Sequence, residues 1–201
     1  MNNALIDAIS KRRSQYALGK NVSLSQLELS ELIKQAVKLA PSAFNSQSAR
    51  VVILFGQQSD QFWQIVMDKL RAIVPADKFA PTEAKVNSFA AGVGTILFYE
   101  DQDTIAALQQ QYPSYHDQFP IWSEQGSGIA QFAVWSALAN AGIGANLQHY
   151  NPLPDADAAK LWDIPPSWKL RAMMPFGSNE ATIADKTFLD DRVRFKEFGS
   201  F

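Results

Sequence analysis

Cysteine is absent from this chain, and its two histidines, His116 and His149, stand far apart. Disulfides, thiol nucleophiles and cysteine-based metal sites are therefore excluded, and the histidines form no ligand pair, so no metal is expected. Charge of one sign is not in surplus either: 18 basic residues face 20 acidic ones, for a formal net charge of −2. That balance speaks against a nucleic-acid binder while leaving room for a local basic pocket. The N-terminal segment, with Asp7 and Lys11 around a short apolar patch, has neither a signal-type core nor a membrane span. A cytoplasmic protein is the expectation. Repeats and low-complexity tracts are missing too, and 201 residues of which 47% are hydrophobic suit one domain over 1–201 with a sizeable core.

Motifs for familiar chemistry are also lacking. Ser127 in Gly126-Ser127-Gly128 is no nucleophile elbow, because no strand leads into it. Glu83, Glu100, Asp101 and Glu124 show no pairing pattern that serves hydrolysis. Gly142-Ile143-Gly144 lacks the third glycine of a dinucleotide fingerprint. A helix precedes it and a strand or loop follows, the reverse of what that fingerprint needs. With no side chain suited to be a nucleophile, chemistry on this chain points to a cofactor.

What is present centres on residues 40–50, Ala-Pro-Ser-Ala-Phe-Asn-Ser-Gln-Ser-Ala-Arg. An amphipathic pattern through Leu29, Leu32, Ile33, Ala36, Val37 and Ala40 predicts a helix, opened by the capping box Ser25-Gln26-Leu27-Glu28 and stopped at Pro41. Val51 to Phe55 reads as a buried strand. On their own, the hydroxyls and carboxamides between them read first as turn formers, and second as donors and acceptors for a planar, polar-edged ligand.

Leu5, Ile6 and Ile9 predict a first helix ending at Arg12-Arg13-Ser14. Basic side chains there complement the helix dipole, and paired guanidiniums also match phosphate oxygens. Further helices are predicted over 60–74, 82–91, 155–162 and from Glu100 to about Tyr112, with an acidic first turn at 100–103. Strands are predicted over 95–99 and 167–177, and residues 112–120, with two prolines and several aromatics, read as an ordered loop. Between Gln125 and Pro154 there is no Asp, Glu, Lys or Arg. Gly128 to Ala141 is helical in pattern and apolar nearly all round, so it must be buried on every side, and a subunit interface is the expected place.

Taken together, these segments resemble the nitroreductase family of FMN proteins, and in particular its subgroup related to the fatty-acid-repression nitroreductase-like proteins. Tyr16-Ala17-Leu18-Gly19, Ala43-Phe44-Asn45-Ser46-Gln47, Phe119-Pro120-Ile121-Trp122-Ser123-Glu124-Gln125, Leu147-Gln148-His149-Tyr150-Asn151-Pro152 and Ser167-Trp168-Lys169-Leu170-Arg171 carry the likeness, in order along nearly the whole chain. The resemblance implies an α+β fold, a mixed central β-sheet flanked by helices, in an intertwined homodimer with FMN at the subunit interface. Arg12, Arg13 and Ser14 would hold the FMN phosphate and ribityl chain, assisted by Lys186 and Arg192. Ser42, Ala43 and Asn45 would reach the FMN of the partner subunit, with Gln47 nearby. Gln148, His149 and Tyr150 would lie against the isoalloxazine. For the His149 imidazole, simple packing is weighed against an acid–base role. Phe44, Tyr115, Phe119 and Trp122 would narrow the substrate pocket.

The family's tail often carries two cations one position apart, whereas here Thr187 and Phe188 follow Lys186. The implied activity is ping-pong hydride transfer from NAD(P)H, through the flavin, to a nitroaromatic or quinone, with no catalytic side chain required. The alternative is an FMN-binding regulatory or stress-response protein with little turnover.

Overall fold

The computed structural model describes residues 3–183 and 185–200. In chain order the elements are α1 (Ala4–Lys11), β1 (Leu18–Gly19), α2 (Gln26–Leu39), β2 (Ala49–Phe55), α3 (Gln57–Arg71), α4 (Ala80–Ala90) and β3 (Gly94–Asp101). Then come α5 (Gln102–Gln111), α6 (Phe119–Asn140), β4 (Gly144–Ala145), α7 (Asp155–Leu161), β5 (Trp168–Asn179) and α8 (Asp191–Arg194). The α+β architecture expected from the sequence is present. The strands pair antiparallel in the order β1-β5-β3-β2, with β4 also on β5. The parallel component is a bridge from Ser14 to Ala145.

β3 is the axis of this arrangement, buried at all eight of its positions. Alternation along a strand sends its side chains to opposite faces. Leu97 and Tyr99 join Phe62, Trp63 and Phe89 in one core, beneath α3, α4 and α7. Ile96 and Phe98 join Leu29, Ile33, Val134 and Leu138 in the other, beneath α2 and α6. The register between β3 and β5 shifts at Phe98 and Tyr99, which pair with Ala172 and Leu170 and leave Arg171 between them. Such a bulge re-aims a side chain, and Arg171 pairs with Glu124 on α6. One polar group that enters this core is fully satisfied: the Thr95 hydroxyl accepts from Trp63 Nε1 at 2.8 Å and bonds Ser59 Oγ at 2.8 Å.

Local signals set the first functional boundaries. Ser25 and Glu28 form the full capping box, and Ala40 takes the extended backbone that a following proline imposes. Two boundaries differ from expectation. The helix predicted from Gly128 begins at Phe119, because Pro120 lies in its first turn, where a missing N–H costs no helical bond. Glu100 and Asp101 end β3 instead of opening a helix, since they pair with Lys169 and Trp168 across the sheet. Asp101 then caps α5, accepting from the Asp103 N–H at 3.2 Å. α6 is not buried on every side within one chain: Ile129 and Phe132 are each 42% exposed. The strand expected at 51–55 forms, but at the sheet edge and only half-buried.

Phe98 is fully enclosed at the centre of the α2–α6 core. Phe98→Ala is expected to cost about 3–5 kcal/mol in urea unfolding, whereas Phe132→Ala on the open face of α6 leaves monomer stability within about 1 kcal/mol.

Candidate functional site

Three parts of the chain frame the site. The first is the end of α1, where the Arg12 N–H bonds the Ile9 carbonyl and the backbone leaves the helix in extended form. The following residues are clamped to the β4 segment: Gln15 N–H donates to the Ala145 carbonyl at 2.9 Å, and Asn146 Nδ2 to the Gln15 carbonyl at 2.7 Å. This clamp fixes where Arg12, Arg13 and Ser14 project. Arg12 lies over the Trp135 ring, 4.5 Å from its centroid, and its buried Nε has no partner among the described residues. Arg12, Arg13 and Lys186 line one cavity of about 580 Å³, where Asp185 is the lone acid and Ile6 and Ile9 form an apolar wall. Arg12 also borders a second cavity of about 360 Å³, between Gln131, Phe132, Trp135 and Leu147. The two share Arg12 in their linings, the first being cationic and the second apolar with an amide. Arg192 is not among the residues lining the cationic cavity; it lies on α8 in the exposed tail.

The second part is the segment after β4. Gln148 pairs with Met173 through backbone bonds of 2.8 and 3.0 Å, and its side chain donates to Asn146 Oδ1 at 2.8 Å. His149 is exposed. The Tyr150 ring turns away into the core, with centroids 6.0 Å from Trp63 and 6.3 Å from Phe89, and burial pushes its hydroxyl pKa up. Its backbone is engaged as well: the N–H donates to Met173 Sδ at 3.1 Å and the carbonyl accepts from the Leu153 N–H at 3.0 Å.

The third part is the 41–50 loop. Phe44, Asn45 and Gln47 have φ of 55, 50 and 48°, the left-handed region that costs non-glycine residues energy unless neighbours enforce it. The enforcing bonds are visible. Ser42 Oγ accepts from the Gln47 N–H at 2.9 Å, and Arg50 donates to the Gln47 carbonyl at 2.5 Å. Arg50 is held in turn by Asp101 at 2.8 Å, and Ser48 Oγ donates to Glu100 Oε2 at 2.6 Å. Burial raises the Asp101 pKa, but hydrogen bonds from Thr104, Ser167 and the Asp103 N–H, with the Arg50 charge, outweigh it and leave it below the ordinary value. For Glu100 burial prevails over the Ser48 bond and the Arg171 and Arg50 charges, and its pKa is raised.

Phe44 anchors the loop in an aromatic cluster, with centroids 4.9 Å from Tyr112, 5.7 Å from Tyr115, 5.3 Å from Phe119 and 5.9 Å from Trp122. Phe119 is its buried floor. An apolar pocket of about 400 Å³ opens beside it, lined by Ala43, Phe44, Trp122, Gln125 and Ile129. Asn45 borders none of the four cavities around these segments. Tyr112, Asn146, Glu100 and Arg50 escaped the sequence reading as site residues. For Arg50 the signal was its place at the end of an uncharged loop, while the others carry none without the sheet pairing.

The Asp101 carboxylate stabilises the fold above the ordinary aspartate pKa of 3.8, and this contribution is lost as pH falls through its lower folded value. Asp101→Asn is therefore expected to lower stability at neutral pH by about 1–3 kcal/mol and to flatten the acid limb of a stability–pH curve.

Comparison with known proteins places this geometry. The model of the nitroreductase family matches residues 9–178. The chain is 31% identical over 190 residues to HBN1 of Saccharomyces cerevisiae, covering 94% of each protein. Nitroreductase CinD from Lactococcus lactis, solved in complex with 4-nitrophenol, is 49% identical, with a TM-score of 0.89 over 98% of this chain and 100% of that one. A nitroreductase with bound FMN from Desulfitobacterium hafniense shares the fold at 19% identity, with a TM-score of 0.71 over 99% of this chain and 100% of that one. The chain belongs to the nitroreductase family.

Proposed function

We propose that this protein is an FMN-dependent oxidoreductase that works as a homodimer, accepting hydride from NAD(P)H and passing it to a nitroaromatic or quinone in alternating steps. The observation that carries the reading is the cationic cavity of Arg12, Arg13 and Lys186, which shares Arg12 with a second, otherwise uncharged cavity. A phosphate in the first and a flat, amide-edged ring in the second match that distribution. The unpartnered Arg12 Nε is a donor in want of an acceptor, which a phosphate or ribityl oxygen supplies.

Bound FMN supplies reversible hydride and electron transfer at its ring. The chain's own residues do the rest. Arg12 and Arg13, with Lys186, neutralise the phosphate, and Ser14 donates beside them. The backbone at 148–150 and the uncharged α6 wall enclose the ring and keep water from it. From the partner subunit, Ser42, Ala43 and Asn45 close the opposite side, with Gln47 behind them. The second tail cation of other family members has no equivalent beside Lys186, and Arg192 fills that role only if the tail crosses to a partner. Phe44, Tyr115 and Trp122 offer flat aromatic surface to an aromatic oxidant, over the Phe119 floor. CinD's complex with 4-nitrophenol supports this substrate class.

Two features support a dimer. Ile129 and Phe132 leave the open face of α6 apolar, and in the tail Phe188, Leu189, Val193, Phe195 and Phe198 are exposed. Large apolar side chains in such number need a covering surface.

The purified protein is expected to be yellow and to bleach anaerobically on addition of NADH or NADPH. Arg13→Ala is expected to weaken FMN binding about 10–100-fold by fluorescence titration. A colourless protein that takes up no added FMN overturns the proposal. Bound flavin that bleaches but is not reoxidised by nitro compounds or quinones points to the regulatory alternative.

A further inference from the structure

Phe44 seats one part of the 41–50 loop on the aromatic cluster, but the residues on either side of it border open space. Behind the loop lies a cavity of about 240 Å³, with Lys38 and Arg50 among its lining residues, Ala130 of α6 on one wall, and Glu100. Phe44 is held by aromatic contact, whereas the strain at Gln47 is held by hydrogen bonds to Ser42 and Arg50, and Arg50 and the neighbouring Ser48 are bonded in turn to two carboxylates at the end of β3. Asp101 serves through Arg50 as an ordinary ion pair. Glu100 is different: it is 1% exposed, binds Ser48 through one oxygen, and leaves Oε1 without a partner among the described residues.

We infer that Glu100 is a positioning residue for the 42–48 loop, acting through Ser48, and that its protonation state governs how firmly this loop holds the flavin. If FMN binds as proposed above, the loop presents Ser42, Ala43 and Asn45 to it, so the loop's geometry enters directly into FMN affinity. A neutral Glu100 accepts the Ser48 hydroxyl without drawing in charge. An ionised Glu100 in the same place needs solvation or a cation. The cavity admits water, and the charged groups around it decide the outcome. They are Lys38 of α2, Arg50 of β2, Asp101 of β3, and Arg171 of β5, itself paired with Glu124 of α6. Arg171 bears on Glu100 more strongly than Arg50 does, but Arg50 also holds the loop, so drawing it toward an ionised Glu100 would take it from the Gln47 carbonyl and from Asp101 and relax the strained loop. Burial raises the Glu100 pKa, so its neutral form persists to a higher pH than that of a free glutamate.

The test is FMN affinity, by fluorescence titration of the apoprotein, from about pH 4.5 to about pH 9, for wild type, Glu100→Gln, Glu100→Ala and Ser48→Ala. Glutamine keeps an acceptor for Ser48 and never ionises. Wild type is expected to lose affinity about tenfold as pH rises, while Glu100→Gln keeps the tight low-pH value throughout. Glu100→Ala and Ser48→Ala are expected to bind about tenfold more weakly at the low-pH end, with faster proteolysis of the 42–48 loop in the apoprotein. A wild-type pH profile reproduced by Glu100→Gln, or wild-type affinity in Ser48→Ala, overturns the inference. Should Glu100→Ala not fold, Glu100→Gln and Ser48→Ala decide it. Wild type that binds no FMN at any pH overturns instead the function proposed above.

Discussion

The covering of β3 on both faces and along both edges is the constraint on which the rest of the molecule depends. Two hydrophobic cores meet on this strand, each supplied by alternate residues. Because β2 and β5 are registered to it, the strand also decides where its own last two residues fall. Those residues are Glu100 and Asp101. Their side chains tie down the loop that precedes β2, so the packing energy of the sheet is carried to the site through two hydrogen-bonded carboxylates. A loop held this way can keep three residues in left-handed conformations without glycine.

The same logic applies on the other side of the sheet. Met173 of β5 fixes the backbone of Gln148, and Ala145 fixes the exit of α1, so Arg12 and Arg13 are placed by strand pairing and not by a free helix end. The absence of charge from Gln125 to Pro154 acquires a physical meaning here. This stretch provides the inner side of α6, packed on β3 and α2, and also the uncharged wall beside Arg12 and Trp135. An ionised side chain in it would sit either in the core or against the ligand, and desolvation penalises both.

Much of this was legible from residue types alone. Ser25 with Glu28, Pro41, and the spacing of Leu29, Ile33 and Val37 are local signals, and local hydrogen bonding and sterics acted on them as expected. Arg12-Arg13 after a short helix was legible for the same reason. The start of α6 was hidden because Pro113 and Pro120 look like loop markers unless one knows that Pro120 occupies a first turn. Glu100 was misplaced because strand pairing, a long-range effect, outweighed the helix-opening look of Glu100-Asp101-Gln102-Asp103. Tyr150 shows the limit of motif reading: its segment lies where expected, yet the ring packs against Trp63 and Phe89, and no local pattern states which way a side chain turns.

The central claim is that one flavin site draws Arg13 from one subunit and the 42–48 loop from its partner. Mixed dimers test it most directly. An Arg13→Glu chain and an Asn45→Lys chain, each unable to bind FMN alone, are refolded together and their bound flavin is measured. The account predicts that mixed dimers, with one site intact and one doubly damaged, recover FMN in about half of their sites. No recovery in dimers shown to be mixed would mean that each site is built within a single chain, and would contradict it.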